Sequence, residues 1–192
     1  DNTKFNATIF QVDTKNEIIV NSTVSGRTSY QNGKSTKRTG AEVSIDALLP
    51  MNFTAYASYT LLEAKFNEDF SATVLKGNRI PGTYKNQAFA ELAWTYPAWG
   101  FQTALNAIHS SSVQVSDTNS AGTAAAGYTV FNLRGSLNQK SGPWNFTEYV
   151  TLNNVTDVKY IGSIKVNDSN SRSYEPAAPF NWIVGVKAAY KF

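Results

Sequence analysis

The chain contains one histidine, and three serines follow it directly. His109 precedes Ser110, Ser111 and Ser112, and a histidine beside a serine hydroxyl is the base and nucleophile pair of serine hydrolases. Such a pair also needs a carboxylate that orients the imidazole. The nearest acidic residue in the sequence is Asp117, in a connection rich in Ser, Ala and Gly that we expect to be flexible. The sequence therefore does not predict an enzyme.

The composition also disfavours metal, cofactor and nucleic-acid sites. The absence of cysteine and the presence of a single histidine exclude thiolate and multi-histidine metal sites as well as disulfide bonds. We therefore expect no metal and no cofactor. The net charge is only +3, and no basic stripe is interleaved with aromatic residues, so nucleic acid is not an expected partner.

The elements that must position any site are strands. Eight segments alternate apolar and polar residues with a period of two, which is typical of strands with one apolar and one wet face. Seven of them lie at about residues 4–13, 41–49, 52–61, 87–96, 101–109, 129–138 and 144–152. The clearest is the last, at residues 181–192, where one parity consists of Trp182, Val184, Val186, Ala188, Tyr190 and Phe192.

The connections between these segments alternate between long and short. The short ones are residues 50–52, 97–100 and 141–143. Hairpin-linked antiparallel strands then place all short turns at one end and all long loops at the other, as in transmembrane barrels. The short turns are flanked by the aromatic residues of an expected interfacial girdle, namely Trp94, Tyr96, Trp99, Phe101, Trp144, Tyr190 and Phe192.

The predicted fold class is all-β, built from about eight antiparallel transmembrane β-barrel strands. Segments of about 9–12 residues suit a tilted membrane crossing. Charged residues make up only 16% of the chain, while aromatic residues reach 13%, a balance that fits strands between water and lipid. Alternation alone leaves a soluble β-sandwich open, because a period of two does not say which face is inside.

Five groups of residues, in order along nearly the whole chain, resemble the C-terminal part of TonB-dependent outer-membrane receptors. They are residues 30–33 with 39–42 (Tyr-Gln-Asn-Gly, Thr-Gly-Ala-Glu), 58–62 (Ser-Tyr-Thr-Leu-Leu), 77–82 (Gly-Asn-Arg-Ile-Pro-Gly), 153–160 (Asn-Asn-Val-Thr-Asp-Val-Lys-Tyr), and 173–176 with 181–192. One departure lies at a loop edge, where Val155 and Thr156 replace the apolar residue and phenylalanine of the family pattern.

This resemblance implies that residues 1–192 are the C-terminal portion of a 22-stranded receptor barrel whose plug domain is absent from the chain. It implies energised uptake of a scarce ligand, most often a ferric siderophore, without covalent chemistry. Tyr190 and Phe192 are the expected signal for barrel assembly. The alternative is a self-standing eight-stranded outer-membrane barrel with a structural, adhesive or lipase-like role.

The resemblance also places ligand contacts in the long connections. Anionic iron chelates favour arginine with aromatic neighbours, so the candidate ligand-binding residues are Arg79, Tyr84, Tyr128, Arg172 and Tyr174.

The partners that the resemblance implies follow from an outer-membrane location in a Gram-negative bacterium. They are outer-membrane lipid and lipopolysaccharide, the TonB complex through the plug, the barrel-assembly machinery through the C-terminal strand, and a ferric siderophore or similar ligand. A basic cluster of Lys34, Lys37 and Arg38 would face lipopolysaccharide phosphates or be an ordinary exposed charge run.

Overall fold

Residues 2–170 and 172–192 are described by the computed structural model. In chain order its strands are β1 (Thr3–Lys15), β2 (Ile18–Val24), β3 (Arg27–Asn32), β4 (Ser35–Leu49), β5 (Phe53–Phe66), β6 (Asn86–Tyr96), β7 (Phe101–Ser110), β8 (Tyr128–Ser141), β9 (Trp144–Asn153), β10 (Ile161–Ile164), β11 (Tyr174–Pro176) and β12 (Asn181–Tyr190). Eight of these form one antiparallel sheet in the order β1-β4-β5-β6-β7-β8-β9-β12. The all-β prediction is confirmed, and the eight strands of the sheet are the eight alternating segments.

The two faces of the sheet differ in polarity as the alternation predicts. Residues that oppose one another in an antiparallel pair project to the same face, and one such row joins Tyr56, Glu91 and Asn106 across β5, β6 and β7. Asn132 Nδ2 on β8 donates to Asn106 Oδ1 at 2.9 Å, and Arg134 Nη2 lies 2.7 Å from Glu91 Oε1. This is the polar face.

The opposite face is apolar and open to the surroundings. Its exposed side chains include Ile9, Val43, Ile45, Leu92, Leu105, Phe131, Val150, Val184 and Val186. Val184 and Val186, on the edge strand β12, are 62% and 68% exposed. A contiguous apolar surface that spans a whole sheet is unusual on a soluble monomer and marks an interaction surface. Its breadth fits contact with lipid.

Aromatic rings gather at the end of the sheet where the connections are short. The ring of Tyr96 stacks on that of Trp94 with centroids 5.8 Å apart, and the Trp144 and Tyr190 centroids are 5.0 Å apart. Trp94 Nε1 donates to the carbonyl of Met51 at 3.1 Å. The predicted girdle is therefore present at this end, which is where interfacial aromatic residues are expected.

The turn between β6 and β7 requires a glycine. Gly100 has φ of +64°, and a Cβ at this position would lie 2.1 Å from the carbonyl oxygen of Asn138. The backbone of Gly100 also accepts a hydrogen bond from the amide of Asn138 at 2.9 Å. Only glycine allows both the left-handed conformation and this close approach.

The sheet has two open edges. In the described residues β1 pairs only with β4, and β12 pairs only with β9. The eight strands therefore do not close on one another, and this arrangement does not support the alternative of a small closed barrel.

The long connections have structure of their own. The hairpins β2–β3 and β10–β11 lie within two of them, where the alternation defined no separate strand pair. A buried cluster of Ile19, Ala64, Phe66, Val74 and Ile80 joins two connections to the end of β5. Throughout residues 2–170 and 172–192, no helix has the length and apolar character that crossing a membrane requires.

Candidate ligand site among the long connections

Four long connections meet at one end of the sheet. We call them loop A (residues 16–34, which includes β2 and β3), loop B (67–85), loop C (111–127) and loop D (154–180, which includes β10 and β11). Sequential antiparallel pairing through short turns places them together. Loop C packs against loops B and D, because its buried Val113, Val115 and Ala125 contact Tyr84 of loop B and β10 of loop D.

Asn167 of loop D joins three of the loops. Its Nδ2 donates to the carbonyl of Val20 in loop A and to Asp117 Oδ2 in loop C, both at 2.8 Å. Its Oδ1 accepts from the amide of Asp117 at 3.1 Å. Its backbone carbonyl accepts from the amide of Thr23 at 3.1 Å, and its own amide donates to Val115 at 2.9 Å. The φ of Asn167 is +52°, a conformation that asparagine tolerates better than most residues.

Asn119 plays the same part between loops B and C. Its Oδ1 accepts from the amide of Arg79 at 2.7 Å, while its Nδ2 donates to the carbonyl of Arg79 at 2.9 Å. Asn78 Nδ2 adds a bond to the carbonyl of Asp117 at 2.8 Å. The φ of Asn119 is +51°. An amide side chain has both a donor and an acceptor, so it can bond the backbone N–H and C=O of one residue at the same time, as a neighbouring strand does.

The structure separates His109 from the carboxylate that a hydrolase would need. Asp117 is only 7% exposed and bonds to Asn167, so our expectation that it lies in a flexible segment is wrong. Burial raises the pKa of Asp117, and the Asn167 hydrogen bond partly opposes this effect. His109 instead projects from the apolar face of β7, where its Nδ1 is 2.9 Å from Thr129 Oγ1. Ser110, the next residue, projects to the opposite face.

A cavity of about 520 Å³ lies among the four loops. Its lining consists of Asn21, Gln31, Phe70, Ser71, Val74, Val115, Ser116, Asp117, Thr118, Ser120, Thr123, Asn167, Asp168, Ser173 and Tyr174. Hydroxyl and amide groups predominate, and Asp117 and Asp168 are the charged members of this set. Within the part of the chain that the structure describes, no lysine or arginine lines this cavity. It can hold a ligand rich in hydrogen-bonding groups.

Of the five predicted ligand contacts, only Tyr174 lines this cavity. Its hydroxyl donates to the carbonyl of Thr123 at 2.5 Å. Arg172 lines a separate cavity of about 690 Å³ together with Lys165 and Asp168. Arg79 is half-buried, and its Nη2 donates to the carbonyl of Thr83 at 3.2 Å.

The two remaining predicted contacts, Tyr84 and Tyr128, are not among the residues that line the cavity. Tyr84 packs on the buried part of loop C, and burial raises the pKa of its hydroxyl. The ring centroid of Tyr128 is 4.1 Å from that of Tyr160, whose pKa burial also raises. The structure therefore does not bring the five residues into one site, and their contact with a ligand stays a prediction.

The C-terminal residues are placed where an assembly factor could reach them. The ring centroid of Tyr190 is 5.0 Å from those of Trp144 and of Phe192. Phe192 itself is fully exposed. Their role in assembly stays a prediction.

The predicted basic cluster does not act as a unit. Arg38 Nη1 donates to Glu17 Oε2 at 3.0 Å, and Lys34 Nζ donates to the carbonyl of Asp69 at 2.7 Å. The hydrogen bond from Arg38 holds the pKa of Glu17 below its usual value, although partial burial opposes the effect. Lys37 opposes Lys65 across β4 and β5, so it belongs to a different group of cations.

Sequence reasoning missed Thr23, Asn119 and Asn167 as the residues that join the loops. An asparagine in a polar connection favours a left-handed turn, so the backbone conformation at Asn119 and Asn167 could have been predicted. The pattern contains no signal for which loops such residues join, because the partners lie up to 147 positions apart.

Residues 1–158 match the protein family described as TonB dependent receptor-like, beta-barrel. Three solved structures share the fold. The ferric preacinetobactin receptor of Acinetobacter baumannii is 16% identical with a TM-score of 0.76, and the match covers 97% of this chain and 27% of that one. The ferric yersiniabactin uptake receptor of Yersinia pestis is 16% identical with a TM-score of 0.72, covering 100% and 28%. A copper transporter is 15% identical with a TM-score of 0.72, covering 100% and 28%.

The chain thus spans little more than a quarter of the length of these structures. Proteins of the matched family are outer-membrane transporters and not enzymes, in agreement with the separation of His109 from Asp117. The antiparallel sheet, its polar and apolar faces and the family match over 158 of 192 residues lead to one conclusion. This chain belongs to the TonB-dependent receptor-like β-barrel family.

Proposed function

We propose that residues 1–192 form the C-terminal wall segment and outer loops of a TonB-dependent receptor that imports a scarce ligand across the outer membrane of a Gram-negative bacterium. The observation that carries the proposal is a one-layer sheet with an apolar outer face and two open edges. Unpaired strand edges are not stable in lipid. We infer that further strands of a 22-stranded barrel pair with β1 and β12, and that a plug domain outside this chain fills the barrel.

In this proposal the chain binds and releases a ligand without covalent chemistry. Loops A to D hold the ligand, the polar face lines the passage, and the plug is displaced by the TonB complex. The last strand with Tyr190 and Phe192 is the segment that the barrel-assembly machinery binds. Outer-membrane lipid, including lipopolysaccharide, contacts the apolar face.

The first candidate ligand is a ferric siderophore. Receptors for ferric preacinetobactin and ferric yersiniabactin share the fold, and a negatively charged chelate could contact Arg172 and Arg79 at the edge of the loop cluster.

A second candidate ligand, an uncharged and hydroxyl-rich molecule, is favoured by the lining of the loop cavity. Two carboxylates and many hydroxyl and amide groups face this space, and Arg79 and Arg172 lie outside it. A carboxylate lining repels an anionic chelate but accepts hydrogen bonds from sugar-like hydroxyl groups.

The size and location of the natural polypeptide test the receptor assignment. An antibody raised against this chain should detect, in outer-membrane fractions, a band several times larger than 21.0 kDa. The band should disappear from the membrane when the protein is made without its export signal. A band at about the mass of this chain, or a band in the soluble fraction, would refute the assignment.

Binding assays on that natural polypeptide separate the two ligand classes. An anionic ferric chelate and an uncharged oligosaccharide should be titrated into the wild type, Arg172→Gln and Gln31→Ala. If the chelate is the ligand, Arg172→Gln should weaken its binding and Gln31→Ala should not. If the ligand is the uncharged oligosaccharide, Gln31→Ala should weaken its binding, because Gln31 lines the cavity. Arg172→Gln should then leave the binding unchanged.

A further inference from the structure

Lysines meet on the apolar side of the sheet at its loop end. Lys37 on β4 directly opposes Lys65 on β5, and Asp13 on β1 opposes Lys37 from the other side. Like charges in directly opposed positions are destabilising unless an anion lies between them. Two residues further along the same face, Thr39 opposes Glu63. The apolar surface begins two residues beyond that pair, where Ala41 opposes Leu61, so the lysine pair lies near the border of the apolar surface.

A cavity of about 280 Å³ opens between these strands and loop B. Its lining includes Lys37, Lys65, Lys76, Thr39 and Glu63. Lys76 comes from loop B, so ammonium groups approach this space from the sheet and from the loop above it. Thr39 adds a hydroxyl group that can donate a hydrogen bond.

The positive charge around this cavity is only partly neutralised. Glu63 carries the negative charge of the lining, with Lys65 Nζ at 3.1 Å from one oxygen and Lys85 Nζ at 3.6 Å from the other. Among the described residues, Lys37 and Lys76 form no ion pair within 4.0 Å. A third carboxylate, that of Asp69, accepts a hydrogen bond from the amide of Lys76 at 2.8 Å. Four lysines against Glu63, Asp13 and Asp69 leave a local charge of +1.

We propose that this lysine pocket binds the phosphate group of an anionic lipid in the membrane leaflet at the loop end. The proposal rests on the membrane placement proposed above. Phosphate oxygens would lie among Lys37, Lys65 and Lys76, and the acyl chains would lie on the apolar face below Ala41 and Leu61. A free phosphate ion would use the lysines but not the adjoining apolar surface. The combination of the two therefore indicates a lipid.

Lysine replacement tests the pocket in the natural polypeptide that carries this chain, purified in an uncharged detergent. The probe is diphosphoryl lipid A, with bound lipid measured by native mass spectrometry and by the rise in Tm. The variant is Lys37→Gln with Lys65→Gln. The matched control is Lys4→Gln with Lys187→Gln, on the polar face of the sheet. Lysine contacts of about 1 kcal/mol each predict binding weaker by about 30-fold in the first variant.

The result expected is loss of lipid A binding in the pocket variant, no change in the polar-face control, and retention in Lys37→Arg with Lys65→Arg. Inorganic phosphate at the same concentration should not compete. Equal lipid binding in the pocket and control variants would overturn the proposal, and so would full competition by inorganic phosphate. If the wild-type protein stays in solution without detergent, the membrane placement itself is refuted, independently of any lysine.

Discussion

Replacement of Asn167 should disconnect the four loops while leaving the sheet intact. The side chain makes three hydrogen bonds, to Val20 and twice to Asp117. At about 1 kcal/mol net for each, their loss should cost the loop arrangement about 3 kcal/mol. Alanine in the left-handed conformation at φ of +52° adds about 1 kcal/mol. We therefore expect about 4 kcal/mol for Asn167→Ala and about 3 kcal/mol for Asn167→Gly.

Hydrogen exchange measures this change at single amides. The amides of Thr23 and Ser169 bond between loops A and D, at 3.1 Å each, and they should lose protection by about 100-fold or more in Asn167→Ala. Amides in the middle of β5 to β8 should not change. The matched control is Asn170→Ala, at an exposed loop position. If Asn167→Ala changes exchange no more than the control does, the loops are not joined through this side chain.

Three further predictions concern charge and assembly. The Arg38 hydrogen bond lowers the pKa of Glu17, so the stabilisation from Glu17 is present above its unfolded-state pKa and is lost as pH falls through the folded-state pKa. Proteolysis of loop A should therefore become faster at acid pH, and Glu17→Gln should remove this pH dependence. Burial raises the pKa of Asp117, so loop stability should increase as pH falls through that pKa, and Asp117→Asn should abolish this increase in hydrogen exchange measured against pH. Phe192→Ala should lower the amount of protein in the outer membrane without changing its Tm in detergent. The control Phe180→Ala, at an exposed aromatic of loop D, should leave that amount unchanged. Equal amounts for both variants would exclude a special role of the terminal ring.

The strands and their faces were predictable because they depend on local pattern. Alternation at period two places Trp182, Val184 and Val186 on one face whatever the rest of the chain does. Even the exception at Glu148, a carboxylate on the apolar side of β9, is visible in the alternation. The short turns were equally readable, since Pro50, Pro97 and Gly142 mark them.

The candidate ligand residues were not predictable to the same degree. Arginine with aromatic neighbours is the pattern that favours an anionic ligand, but the guanidinium of Arg79 bonds within its own loop. Tyr84 packs on the buried part of loop C, and Tyr128 packs on Tyr160. A residue type indicates what a side chain could bind, whereas its neighbours decide whether it is free to do so.

The sequence by itself determined the all-β class, the eight strands, their polar and apolar faces and the end at which the long loops gather. Only the tertiary structure decided that the sheet stays open at β1 and β12, that Asn167 and Asn119 join loops distant in sequence, and that Lys37 meets Lys65 instead of acting with Arg38. The physical reason is range. Alternation and turn chemistry act over a few residues, while edge pairing, loop packing and charge clusters depend on which distant segments the sheet register brings together.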